Sequence, residues 1–156
     1  MNGVRPHSGR KALGHAFLLL KYRQRSEQEI RSRMARKKFA ADDIDETVGF
    51  LKEKRFIDDA GFARAWVASR LARGVGASRV KNELRLKGIS LAIVQEALRE
   101  LPENYSEDAA MASLVEKKLR QYGGVEPAKK KQRIYAFLIR RGFCPDAVAD
   151  IVNGIE

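Results

Sequence analysis

Few side chains in this 156-residue sequence could do covalent or metal chemistry, and they are scattered. A nucleophile needs its base within reach and a metal needs ligands at coordinating spacing, yet neither His7 nor His15 has a partner four residues on. Cys144 is the only cysteine, which excludes an intramolecular disulfide and a cysteine-rich zinc site and fits a reducing cytoplasm. It reads as a small buried hydrophobe. Gly74-Val75-Gly76 lacks the preceding strand and third glycine of a nucleotide-binding loop and reads as a helix stop. Asp58 and Asp59 could hold a metal or meet a basic partner, but helix capping accounts for both. Trp66, with Phe62 and Tyr22, could stack on bases, although aromatics on an amphipathic helix are core by default. No catalytic residue, metal or cofactor is expected, and the chain does not read as an enzyme.

Charge is the chemistry that remains. Lys and Arg total 31 against 20 Asp and Glu, a net charge of +11. Such a chain is drawn to polyanions or to acidic protein surfaces. Residues 1–57 hold 14 basic and 7 acidic residues, 58–104 hold 8 and 6, and 105–156 hold 9 and 7, so the first third is the most basic. The basic residues gather in three clusters: Arg31, Arg33, Arg36, Lys37 and Lys38; Arg79, Lys81, Arg85 and Lys87; and Lys129, Lys130, Lys131, Arg133, Arg140 and Arg141.

The elements that must carry these clusters are helical. Hydrophobic residues are 44%, charged residues 33% and prolines only 4, the profile of a folded, helix-rich chain. The central stretch Phe56 to Arg70, FIDDAGFARAWVASR, predicts a helix with Phe62, Ala65 and Trp66 on one face and Ala63, Val67 and Arg70 on an adjoining row. Before it, residues 1–9 read as a flexible basic arm, and a helix follows from about Arg10 to Arg23. Ser26 to Glu29 is a capping box opening a helix through Ile30, Met34 and Lys38. Asp42 should cap a third, ending near Arg55. After the central helix come helices from Ser78 to Lys87 and from Ser90 on. Ser106 should cap another, ended by Gly123-Gly124, and Pro127 and Pro145 should open the last two.

Nine helices in threes imply a repeat. Ile30, Met34, Phe39, Ile44, Val48 and Leu51 align with Val80, Leu84, Ile89, Val94, Leu98 and Leu101 at a constant offset of 50 residues. Ile134, Leu138, Phe143, Val148, Val152 and Ile155 form a third copy. The expected fold is therefore all-α: three-helix repeats over 10–57, 58–104 and 105–156, stacked into an elongated curved solenoid. Each basic cluster should lie on the middle helix of its repeat, making a stripe along one side. Ala12 to Leu20 has a faint look of a signal peptide, but His15 interrupts it and KYRQR follows where small residues belong. No apolar run approaches the roughly 20 residues of a membrane span, so a cytoplasmic monomer is expected.

Four segments carry a family resemblance: RSEQEIRSRM at Arg25 to Met34, FIDDAGFARAWVASR at Phe56 to Arg70, ASRVKNELRLKGI at Ala77 to Ile89 and LIRRGF at Leu138 to Phe143. Together they resemble RecX, the bacterial regulator of the RecA recombinase, over nearly everything from Ala12 on. The resemblance implies a protein that lies in the groove of the RecA filament on single-stranded DNA. It further implies suppression of ATP hydrolysis, strand exchange and the co-protease activity behind the SOS response. The motif positions carried over are Asp58, Asp59, Phe62, Ala63, Trp66 and Arg70, then Glu83, Leu84, Lys87, Gly88 and Ile89, then Arg141, Gly142 and Phe143, many of them structural. The candidates for contact with RecA or DNA are Arg31, Lys37, Lys38, Arg70, Arg79, Lys81, Arg85, Lys87, Lys129, Lys130, Lys131, Arg140 and Arg141. Two rivals stand beside this reading. A helix-turn-helix DNA-binding regulator would prefer particular base sequences and dimerise, and a general helical adaptor would need no nucleic acid.

Overall fold

A computed structural model of the chain describes residues 8–155. Among the described residues there are nine helices and no strand: α1 (Ser8–Tyr22), α2 (Glu27–Arg36), α3 (Ala41–Glu53), α4 (Asp59–Ala72), α5 (Ala77–Leu86), α6 (Leu91–Arg99), α7 (Glu107–Gln121), α8 (Pro127–Arg141) and α9 (Pro145–Asn153). His7 and most of the expected arm lie outside the described residues. The first helix opens at Ser8, two residues ahead of the expected Arg10.

The local signals explain where most helices start. Ser26 accepts the Glu29 N–H while the Glu29 carboxylate accepts the Ser26 N–H, so the capping box is closed. Ser106 Oγ accepts from Ala109 N–H at 3.2 Å, and Pro127 opens α8 behind Glu126, which accepts the N–H groups of Ala128 and Lys129. Two expectations are corrected. Asp42 does not cap α3, because the helix begins two residues earlier than such a cap would place it, with Ala40 at the cap position and no side-chain cap bond. Inside the first turn the Asp42 and Asp43 carboxylates still oppose the helix dipole. Cys144 is exposed rather than buried, since it occupies the extended N-cap residue that leads into Pro145.

The chain divides into two compact units, one comprising the residues up to Arg64 together with Leu84–Ala97, the other Ala65–Glu83 together with Leu98 onward. In the first, α1, α2 and α3 pack on one another around Ala12, Ala16, Ile30, Met34, Ile44, Val48, Leu51 and Ile57. Alanine at positions 12 and 16 lets the α1 backbone come close to its neighbours. In the second, α7, α8 and α9 enclose Met111, Val115, Ile134, Leu138, Phe143, Val148 and Val152. Each fully buried aliphatic side chain in these cores contributes about 1.5–3 kcal/mol. Of the aligned repeat positions, only Phe39, Leu98, Leu101 and Ile155 are half-buried, and the others are buried.

Candidate functional site

The family-motif residues of the central stretch form a charged knot within the second unit. Trp66 Nε1 donates to Glu83 Oε2 at 3.0 Å, and Arg70 Nε donates to the same oxygen at 2.7 Å. Arg70 Nη2 and Arg79 Nε both donate to Glu83 Oε1. The Arg70 guanidinium also lies 5.4 Å from the Trp66 ring centroid. Arg70 above all, against the opposing effect of burial, and then Trp66 and Arg79 hold the Glu83 carboxyl at about 2. Trp66 is therefore half-buried and turned to an acid, neither a plain core residue nor a free platform. Tyr22, the other proposed stacking residue, is 83% exposed, whereas Phe62 is buried.

In the first unit, Ser26 Oγ donates to the Lys87 carbonyl at 2.6 Å, and Glu27 N–H donates to Asp59 Oδ1 at 2.9 Å. Asp59 thus caps the start of α2 while standing in the first turn of its own helix. Burial raises its pKa against the Glu27 hydrogen bond. Asp58 supplies the backbone carbonyl that accepts the Phe62 N–H at 2.8 Å. Glu29 takes Arg23 at 2.7 Å and Lys87 at 3.3 Å. Burial alone would raise its pKa, but Arg23, the Ser26 N–H and Lys87 outweigh it and hold Glu29 at about 2. Lys87 Nζ also sits 5.9 Å from the Phe62 ring centroid. Gly88, at φ +76°, lies where a Cβ would come within 2.4 Å of Gln28 Cβ.

The second unit repeats this pattern one repeat later. Gly76 N–H donates to the Arg141 carbonyl at 2.8 Å, and Ala77 N–H donates to Glu107 Oε1 at 2.8 Å. Arg79 Nη1 donates to the Arg140 carbonyl at 3.0 Å, and Arg141 Nη1 to the Arg73 carbonyl at 2.7 Å. Gly142, at φ +87°, has no room for a Cβ, which would meet Arg79 Cβ at 2.1 Å. The equivalent residue of the first repeat, Lys38, takes a left-handed φ of 61° as a non-glycine.

The sequence-predicted cations accordingly fall into two groups. Arg31 is held by Glu27 and Asp45, and Arg70, Arg79, Lys87 and Arg141 are engaged as described. Lys37, Lys38, Lys81, Arg85, Lys129 and Arg140 are exposed, while Lys130 and Lys131 are half-buried on α8. Lys37, Lys38 and Lys87 are not on the middle helices as expected, since α2 ends at Arg36 and α5 at Leu86. In α7 and α8 the cations lie over ring faces: Lys118 is 4.8 Å from the Phe137 centroid, Arg141 is 5.2 Å from it and Arg133 is 5.7 Å from that of Tyr122. Residue-by-residue reasoning had not singled out Lys118, Tyr122 or Phe137. A spacing of four residues, Lys118 to Tyr122 at the end of α7 and Phe137 to Arg141 on α8, is the signal the sequence offers.

One cleft of about 600 Å³ opens in the first unit between Glu27, Lys52, Arg55, Ile57, Asp58, Asp59, Ala60 and Ile93. Its acids and bases are mixed, and Lys52 is paired with Glu27 at 2.8 Å. Among the described residues no group of three or more His, Cys, Asp or Glu is placed to hold a metal ion, and no helix is long and apolar enough to cross a membrane.

Models of the first, second and third three-helix domains of RecX match residues 12–51, 58–98 and 106–152. The chain is 35% identical over 146 residues to the regulatory protein RecX of Pasteurella multocida, covering 93% of this chain and 88% of that protein. It is 37% identical over 147 residues to the regulatory protein RecX of Mannheimia succiniciproducens, covering 93% and 95%. The crystal structure of RecX from Lactobacillus salivarius has the same fold, with a TM-score of 0.80 over 94% of this chain and 95% of that one at 23% identity.

Proposed function

The chain belongs to the RecX family of regulatory proteins, and on that premise we propose that it binds RecA filaments on single-stranded DNA. Bound there, it inhibits RecA ATPase, strand exchange and co-protease activity, and so modulates DNA repair and the SOS response. It acts without catalysis, as a cytoplasmic monomer organised in repeats over 10–57, 58–104 and 105–156.

The observation that carries this reading is how the surplus charge is distributed. The structure's own acids and carbonyls engage Arg31, Arg70, Arg79, Lys87 and Arg141, and leave Lys37, Lys38, Lys81, Lys129 and Arg140 facing solvent. Exposed Lys and Arg contribute little to folding and are available for DNA phosphates or acidic filament surface. Contacts of that kind weaken steeply with salt and can span neighbouring filament subunits. A protein lodged across subunits opposes the movements or additions that an active filament needs.

The test is the ATPase rate of pre-formed RecA filaments on single-stranded DNA as the protein is titrated from well below to equal the RecA concentration. Loss of activity at substoichiometric amounts is expected, and an unchanged rate at equal amounts overturns the proposal. Replacing Lys81 and Lys129 together by Ala should weaken inhibition while leaving the melting temperature unchanged, because both are exposed and neither lies in a core. Lys87 is kept out of this variant, since its bond to Glu29 would confound binding with folding.

A further inference from the structure

A recess of about 340 Å³ opens beside α1 and the end of α2, walled by His15 and Leu19 from α1 and by Arg33, Arg36 and Lys37. Every charged residue on its wall is basic. Arg33 and Arg36 lie one turn apart on α2 and Lys37 follows as its C-cap residue, so the three cations converge and repel one another. The carbonyl end of α2 eases that repulsion but supplies no counter-ion. Among the described residues Arg33, Arg36 and Lys37 have no acidic partner, although Arg23, Arg31, Lys52 and Lys87 of the same unit all have one. Glu29, one turn before Arg33, is already taken by Arg23 and Lys87.

A second observation lies behind the same wall. Arg25 is only 8% exposed, and its Nε donates to the carbonyl of Leu19 at 3.1 Å. Its Nη1 is buried with no hydrogen-bond partner among the described residues. Burial first, then Arg23 and Arg33, lower its pKa. A buried guanidinium with an unanswered N–H adds positive potential next to cations that already lack an acid. His15 completes the wall, its ring placed 5.6 Å from that of Phe39, and an imidazole N–H is a donor that an anion can use.

We propose that this recess binds a phosphate group, with Arg33 and Arg36 as the charged donors and His15 and Lys37 as supporting contacts. Guanidinium forks match the oxygen spacing of phosphate, and the site needs an anion with several acceptor oxygens and no proton to spare. The phosphate is either part of a nucleic-acid backbone or carried by a free small molecule. The site shares Lys37 with the exposed cations on which filament binding was argued, and its charged donors, Arg33 and Arg36, are separate from the cations of α5 and α8.

The experiment follows the ring proton resonances of His15 in the full chain carrying His7→Ala, so that one histidine reports, while inorganic pyrophosphate is titrated at constant ionic strength. A saturable shift is expected. Arg33→Ser with Arg36→Ser should weaken it at least tenfold without changing the melting temperature, and Lys81→Ser with Arg85→Ser should leave it unchanged. Competition by a short oligothymidylate assigns the phosphate to a nucleic-acid backbone. Pyrophosphate saturation without such competition assigns it to a free phosphorylated molecule. A shift that never saturates, or one that the Arg33 and Arg36 variant leaves intact, overturns the site. No RecA is present, so this failure is separate from failure of the ATPase test.

Discussion

At the start of α2 in the first unit, the tertiary contact is made by a side chain: the Ser26 hydroxyl accepts from Glu29 N–H and donates to the Lys87 carbonyl. At the start of α5 in the second unit, 50 residues on, Gly76 stands in its place and the backbone N–H itself donates to the Arg141 carbonyl. Both units then use a carboxylate from a distant helix, Asp59 or Glu107, to take the next N–H. The same orphan donors are satisfied twice, once through a hydroxyl and once by direct backbone approach. The difference sets what each site tolerates. A serine bridges a gap that a bare backbone closes.

The sharpest way to break this comparison is Gly76→Ser, which copies the first unit into the second. Its Cβ would lie 2.2 Å from the Gly142 carbonyl oxygen, an atom of backbone that cannot step aside cheaply. A loss of about 3 kcal/mol is expected. By thermal melting that is a fall of roughly 10 °C, and a neutral result would refute the close approach.

Glu83→Gln tests the charged knot of the second unit, in which Trp66, Arg70 and Arg79 share one carboxylate where Glu29 of the first unit takes Arg23 and Lys87. Removing the charge leaves Arg70 and Arg79 with a weaker acceptor, so urea unfolding should show a loss of about 2 kcal/mol. The pH profile sharpens it. Glu83 and Glu29 both sit at about 2 in the folded chain, below the ordinary value near 4.3. Each therefore contributes stability that is complete above about pH 5 and is lost as pH falls toward 2. The Gln variant should show a shallower acid limb, and an unchanged limb would mean that Glu83 carries no linked proton.

Left-handed helix ends give the next contrast. Gly88→Ala and Gly142→Ala each place a Cβ against a neighbouring helix and strain a positive φ, so each should cost about 2 kcal/mol. Lys38→Gly, at the equivalent residue of the first repeat, should be neutral or stabilising by up to ~1 kcal/mol, because it relieves a positive φ in an exposed side chain. The smallest effects belong to the distant caps. Asp59→Ala and Glu107→Ala should each cost about 1 kcal/mol, and calorimetry of the two variants should give similar values if the caps are equivalent.

Much of this was legible in order along the chain. The closed box at Ser26 and Glu29, the start at Pro127, and the repeated burial of Ile30, Val80 and Ile134 follow from local periodicity and capping. What escaped was any partner chosen across distance. Asp59 reads as a cap for its own helix, but its carboxylate goes to Glu27, 32 residues earlier, and Glu107 goes to Ala77, 30 residues earlier. Glu83 drew notice only through the family resemblance, since a lone acid on α5 reads as a solvated residue until Trp66, Arg70 and Arg79 are seen around it. The basic candidates were found as a class, but the sorting of held from exposed was not.

The amino-acid sequence by itself determined the helices, their apolar faces, the three-fold repeat and the family, because these rest on spacing within a turn or two and on residue type. Only the tertiary structure decided which charges are neutralised. An ion pair forms between whichever groups packing brings within a few ångströms, and that distance is a property of the folded chain. Arg31 and Lys37 are six residues apart on the same cluster, yet one is locked between Glu27 and Asp45 and the other faces an acid-free recess.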